Sequence, residues 1–234
     1  GTIGLLTVDS SSIENLSVDL KHAYLSIQQS EDSRIQVSCE SEEDAESGIK
    51  ASCEAGSITI ADARKGKTGR KDITVYLEIP SQFKFNTVQM QISAGEVDAD
   101  CGISSDSLTV NAGAGLISLG SLKADTFHAS VGAGQIEIED GVFRSVSVDC
   151  GVGMVDMEAD ITEYAKIDCG MGEVDLELVK GTDSANYTLK CGVGSIDIGD
   201  NSYSGLSREK RIENGASVEF ELNCGMGAIS VDDY

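Results

Sequence analysis

The sequence predicts an all-β fold: a right-handed parallel β-solenoid, flattened into two sheets, with about nine turns of roughly 19 residues. The first observation behind this is a nine-residue motif that recurs as NAGAGLISL (111 to 119), SVGAGQIEI (130 to 138), DCGVGMVDM (149 to 157), DCGMGEVDL (168 to 176), KCGVGSIDI (190 to 198) and NCGMGAISV (223 to 231). Its second glycine falls at Gly115, Gly134, Gly153 and Gly172, a period of 19, then at Gly194 and Gly227 after insertions. The second observation is that apolar and polar residues alternate on both sides of each glycine pair, the period of a strand with one buried face. The third is the Gly-x-Gly-x bend itself, where glycine is read as supplying φ > 0 and letting neighbouring bends stack closely.

Taken as columns, the repeat extends toward the N-terminus. The position before the first glycine holds Cys53, Ile92, Ala112, Val131, Cys150, Cys169, Cys191 and Cys224. Five places later come Ile58, Val97, Ile117, Ile136, Val155, Val174, Ile196 and Ile229. A glycine-free first copy fits Leu16, Val18, Leu20, Leu25 and Ile27, while Lys21 to Tyr24 replace the bend. Five inward columns then supply about 45 buried side chains at roughly 1.5 kcal/mol each, and stacking about 4.8 Å apart gives a rod roughly 40 to 45 Å long. A two-sheet coil is preferred over a wider three-sheet one.

A solenoid grows without splitting, so residues 1–234 form a single domain. Residues 1–87 hold irregular N-terminal turns and hairpins, 88–198 the regular turns, and 199–234 a cap insertion and the last turn. Within the first part, Ile35, Val37 and Cys39 form an added strand before the acidic loop 40 to 47. The basic loop 61 to 71 precedes the strand ITVYLEIP and Phe83 and Phe85. In the last part, Tyr203, Leu206 and Ile212 are expected to cover apolar surface, because an open solenoid end templates aggregation.

The net charge is −23, with 40 acidic against 17 basic residues. Phosphate backbones and anionic lipid surfaces should repel such a chain, so nucleic acid is excluded as a partner. No run of 18 apolar residues is present, and the membrane enters only through an N-terminal anchor outside this chain. The opening Gly-Thr-Ile, without methionine, reads as a processed product.

Five of the seven cysteines share one inward column with isoleucine, alanine and valine, which makes them small buried hydrophobes carrying free thiols. Disulfides between stacked neighbours and zinc are the alternatives, and whole-turn spacings disfavour zinc.

The outward column between the last two apolar positions reads Thr59, Asp98, Ser118, Glu137, Asp156, Asp175, Asp197 and Ser230. Glu137, Asp156, Asp175 and Asp197 are taken as successive carboxylates whose repulsion Ca²⁺ would relieve, and they are the candidate metal ligands. The competing reading is a solvated acidic face that keeps the rod soluble. No catalytic or cofactor-binding residues are assigned. His22 and His128 are read as surface residues. The basic residues Arg64, Lys65, Lys67, Arg70 and Lys71 could serve a lyase-like site only with bound Ca²⁺. No tryptophan and 5% aromatics leave no sugar platforms.

The serial [C/A]-G-x-G-x-[IV]-[DE]-[LIM] turns, the ITVYLEIP strand with Phe83 and Phe85, and the segment YSGLSREKRIENGAS together resemble the bacterial putative-adhesin domain of unknown function. The resemblance covers nearly the whole chain and implies an exported β-solenoid, often tethered by an N-terminal membrane segment. It defines no functional residues. The expected function is therefore a non-enzymatic binding, adhesion or scaffold module, extracellular or in the cell envelope, with a protein or glycan surface partner. One alternative is a cytoplasmic self-assembling scaffold similar to bactofilins. The other is a Ca²⁺-dependent carbohydrate-active enzyme.

Overall fold

The computed structural model describes residues 1–41, 48–64 and 73–234. Among them, regular structure is β-strand apart from two single turns of 3-10 helix, Ser10–Ser12 and Thr182–Ser184. The centre consists of four long strands, Glu96–Ala112, Leu116–Val131, Gln135–Cys150 and Met154–Cys169. Each pairs with the next in parallel, so that Ile117, Ile136, Val155 and Val174 lie side by side. The chain is thus a parallel β coil whose alternating apolar side chains face a common interior.

Its cross-section departs from the flattened outline expected above. Only the Gly-x-Gly end of each turn is a sharp bend. At the other end the backbone ladder continues, with Leu122 opposite Gly141 and Ala124 opposite Phe143. Leu122, Ala124, Phe143 and Ile161 point inward there and are buried. A middle turn therefore buries seven side chains, Ile117, Leu119, Leu122, Ala124, Phe127, Ala129 and Val131, where five were expected. The reason is arithmetic: two short strands and one tight bend do not use 19 residues, and the remainder is long enough to pair as a third, short side. Phe143 stacks 4.6 Å from Phe127, with ring planes 9° apart, and fills the space that Gly141 leaves.

The order of turns in the stack differs from their order in the chain at both ends. Strands Asn15–Leu20 and Tyr24–Gln29, the first coil copy in sequence, sit inside the stack. On one side they pair with Ser57–Asp62 and Ile73–Ile79, and on the other with Lys84–Ile92 and Glu96–Ala112. The last turn, Val218–Cys224 and Ala228–Asp233, is likewise interior. It lies between Met154–Cys169 with Glu173–Leu178 and the pair Ala185–Cys191 with Ser195–Ile198.

The copy assigned to residues 49 to 60 is not a solenoid turn. Ile49–Glu54 and Ser57–Asp62 form an antiparallel hairpin. Its two bend residues, Ala55 and Gly56, have φ of 50° and 79°, the paired positive values of a two-residue hairpin turn that reverses the chain. Cys53 is consequently exposed. Ile58 and Ile60 stack on Leu16 and Val18, and Thr59 pairs with Ser17 on a different side from the carboxylate column.

Antiparallel strands cover both ends. Arg34–Ser41 pairs with Thr2–Asp9 and with Ile73–Ile79. At the opposite end, Asn201–Tyr203 pairs with Ser195–Ile198, and Lys210–Ile212 with Ala185–Cys191. Tyr203, Leu206 and Ile212 pack against the core there. Antiparallel capping ends the parallel ladder at both ends of the stack.

Candidate functional site

The bend glycines serve a different purpose from the one their sequence suggests. None of them has positive φ. They are required by proximity: a Cβ on Gly134, Gly153, Gly172, Gly227 or Gly194 would overlap the carbonyl oxygen of the second glycine in the adjacent turn. Backbone hydrogen bonds between bends hold this spacing, such as Val152 N–H to Gly132 O at 2.8 Å and Met171 N–H to Gly151 O at 2.8 Å.

The cysteine column locks the same bends from inside. Cys150 Sγ donates to Gly153 O at 3.2 Å, Cys169 to Gly172 O at 3.1 Å, and Cys191 to Gly194 O at 3.3 Å. Because the last turn is interior, the order along the stack is Cys150, Cys169, Cys224, Cys191. Cys169 and Cys191, neighbours in the repeat, are not neighbours in space. All seven thiols are free. Burial pushes the Cys224 thiol up to about 11, so it is protonated at neutral pH.

Interleaving also divides the expected carboxylate row. Glu137, Asp156 and Asp175 are register neighbours, but Ser230 separates Asp175 from Asp197. Glu137 is partnered, accepting from Gln135 at 2.6 Å and from Ser118 at 3.4 Å. Among the described residues, no three His, Cys, Asp or Glu side chains converge to hold a metal ion. The row runs along an open face.

Among the described residues, Glu137, Asp156 and Asp175 form no ion pair, unlike the carboxylates on the short third side. There Arg144 bridges Asp125 and Glu163 at 2.8 Å each, and Lys84 meets Asp106 at 2.7 Å. On the acidic face, partial burial and then the charges of Glu173, Asp156 and Asp232 raise the Asp175 carboxyl to about 6. Burial, together with Glu177, Asp140 and Glu139, likewise raises Glu158.

A native value of about 6 exceeds the roughly 3.9 of an unfolded aspartate, so the native state loses stability as pH rises through about 6. Asp175→Asn is expected to raise stability at about pH 8 by about 1 kcal/mol, a figure discounted for solvent screening, and to be neutral below about pH 4. Urea titrations of both proteins at the two pH values measure the difference.

The remaining candidates are dispersed. His128 lies on the surface, 3.6 Å from Asp149. His22 is exposed at a glycine-free bend, where its backbone N–H approaches Asp62. Arg64 is committed to structure: it pairs with the buried Asp62 at 2.6 Å and donates to His22 O at 2.9 Å. Burial works against charge on Asp62, but hydrogen bonds from Arg64 and from the Lys21 backbone outweigh it and hold the carboxyl at about 2. Lys65, Lys67, Arg70 and Lys71 and the acidic loop residues 42–47 lie outside the described residues.

One feature was missed in the repeat. The residue between the two glycines points outward and is apolar in all six copies, giving a line of Ala114, Ala133, Val152, Met171, Met226 and Val193 along the bend edge. Val152, Met171, Met226 and Val193 are 58 to 78% exposed. Grooves of about 820 and 860 Å³ flank this edge, one containing Leu116, Met154 and Glu173, the other Asp149, Asp168 and Leu206. The signal was present in the motif: an outward position that never carries a polar residue.

A coil capped at both ends, with an apolar bend edge and an acidic face, defines an elongated β-solenoid whose exposed features are surfaces. Its sequence matches the profile of Toastrack DUF4097 over residues 13–231, and the chain belongs to that family. Among curated proteins, none matches it significantly. The solved structures that share the fold include two from Parabacteroides. A "putative lipid binding protein" from Parabacteroides distasonis ATCC 8503 is 16% identical, with 99% of this chain and 96% of that one covered and a TM-score of 0.55. A "putative adhesin" from Parabacteroides merdae ATCC 43184 is 13% identical, with 98% and 95% covered and a TM-score of 0.50.

Proposed function

We propose that this protein is a non-enzymatic binding module of the cell surface or envelope, built as a right-handed coil that presents ladders of outward side chains to an extended partner. The observation that carries this reading is the in-register stacking. Positions 19 residues apart, such as Glu137 and Asp156 or Val152 and Met171, repeat on the outside at the strand spacing. A rigid ladder of this kind matches a partner that is itself periodic, a glycan or an extended protein segment. The dispersed histidines and the structural commitment of Arg64 fit a surface role better than an acid/base site. The antiparallel end strands weigh against an end-to-end cytoplasmic polymer.

A screen of the purified protein against glycan and cell-wall polymers tests the proposal. Retention on a repeating polymer, competed by its oligomers, is the expected result. Hydrolysis or elimination of such a polymer would overturn the non-enzymatic reading. Filament growth at micromolar concentration, without polymer retention, would favour the scaffold alternative.

A further inference from the structure

We propose that the Gly-x-Gly edge is a docking strip for a cationic amphipathic segment of a partner protein. Ala114, Ala133, Val152, Met171, Met226 and Val193 would take its apolar face, and the carboxylates on both flanks its lysines or arginines. This rests on the binding-module reading and names the partner chemistry for one edge of it.

Two independent features support the strip. The first is apolar exposure where the fold has no use for it. The bend residue contributes nothing to the core, and serine or asparagine would suit a solvated turn. Here four successive positions, Val152, Met171, Met226 and Val193, carry valine or methionine, side by side and more than half exposed. Methionine is flexible and polarisable and adapts to varied apolar partners. A contiguous exposed apolar line on a chain of net charge −23 marks an interaction site.

The second feature is charge. On one flank, Glu173 borders the groove and Asp156 and Asp175 follow along the same strands. On the other flank stand Asp149 and Asp168, with Lys190 and Arg208 as the cations of that groove. The crowding that raises Asp175 is relieved by an approaching cation and worsened by an anion. A second copy of this chain would bring two acidic faces together, and an anionic bilayer would be repelled. A segment with lysines flanking leucines or phenylalanines satisfies both features. Six stacked bends span about 24 Å, the length of about 16 helical residues.

The test uses the whole chain and a synthetic amphipathic Leu/Lys peptide of about 16 residues, with a Leu/Glu peptide of the same pattern and phosphatidylcholine vesicles as separate arms. Fluorescence anisotropy is expected to show saturable binding of the Leu/Lys peptide only. That binding should weaken at least about tenfold in Met171→Gln/Met226→Gln and also in Asp156→Asn/Glu173→Gln. All four side chains are exposed or edge-facing, so melting temperatures should stay close to the unmutated protein; Val152→Gln serves in place of a double variant that fails to fold. Undiminished binding by the methionine variant would overturn the strip, because the attraction would then be diffuse charge. Absence of peptide binding, adsorption to the neutral vesicles, or self-association abolished by the methionine variant would overturn it as well. Polymer retention without peptide binding would remove this docking strip and leave the binding-module reading in place. Peptide binding without polymer retention would do the reverse for a glycan partner.

Discussion

Val155→Asp is expected to abolish cooperative folding of this protein, whereas Asp156→Ser, one residue away, is expected to leave stability within about 0.5 kcal/mol of the unmutated chain and on the stabilising side. Val155 is fully buried and lies between Ile136 and Val174. An aspartate there would place a carboxylate between aliphatic neighbours in the dry interior, at a cost of more than about 4 kcal/mol. In a solenoid each turn is held by its two neighbours, so the loss weakens two interfaces at once. Asp156 faces outward in the row with Glu137 and Asp175, and removing its charge eases repulsion on Asp175. Circular dichroism in urea distinguishes the two variants. Equal behaviour would mean that the inner and outer faces of the strand have been exchanged.

The contrast depends on alternation, which was the most legible property of the sequence. Around Gly134 and Gly153, where apolar residues alternate on both sides of the bend, the pairing partners are the residues 19 places away. What could not be read was the order of turns at the ends. The last copy, NCGMGAISV, satisfies the same bend geometry as any other, and nothing local says that it enters between the turn of Cys169 and the turn of Cys191. That choice is made by non-local contacts: Thr182 N–H donates to Asp233 at 2.6 Å, and Tyr234 N–H to Leu178 O at 3.1 Å.

The copy at residues 49 to 60 misled for a different reason. Its apolar spacing is right, and the missing first glycine is not decisive, since Ser93 occupies the same place in a bend that still stacks, its N–H donating to Leu20 O at 2.9 Å. Positive φ at Ala55 and Gly56 reverses the chain instead. The exposed apolar edge went unread because binary patterning assigns apolar residues to the interior, and a tight bend is where that assignment fails. The acidic face was visible as composition, but its division by Ser230 followed from the hidden order of the turns.

Gly172→Ala is expected to cost at least about 3 kcal/mol, while Gly170→Ala, two residues earlier in the same bend, stays within about 1 kcal/mol of the unmutated protein. A Cβ on Gly172 would overlap the carbonyl oxygen of Gly153 and sit 2.8 Å from Cys150 Sγ. Neither neighbour can retreat. Gly153 O accepts from Glu173 N–H at 3.0 Å, and Cys150 Sγ is held by its bond to Gly153 O at 3.2 Å. Relief would require the two bends to separate and lose the hydrogen bonds between them, including Gly172 N–H to Gly151 O at 2.9 Å. The same displacement would press Gly172 toward Gly227, whose own missing Cβ lets the last turn approach from the other side. At Gly170 the nearest atom to an added Cβ is Gly151 O at 3.3 Å, a contact that a shift of a few tenths of an ångström relieves. Alanine there also reduces the freedom of the unfolded chain, which offsets part of the cost. Thermal melts of the two variants settle the comparison. Equal losses at both positions would show that glycine is needed here for backbone freedom, and a large loss at Gly172 alone would show that it is needed for the close approach of one turn to the next.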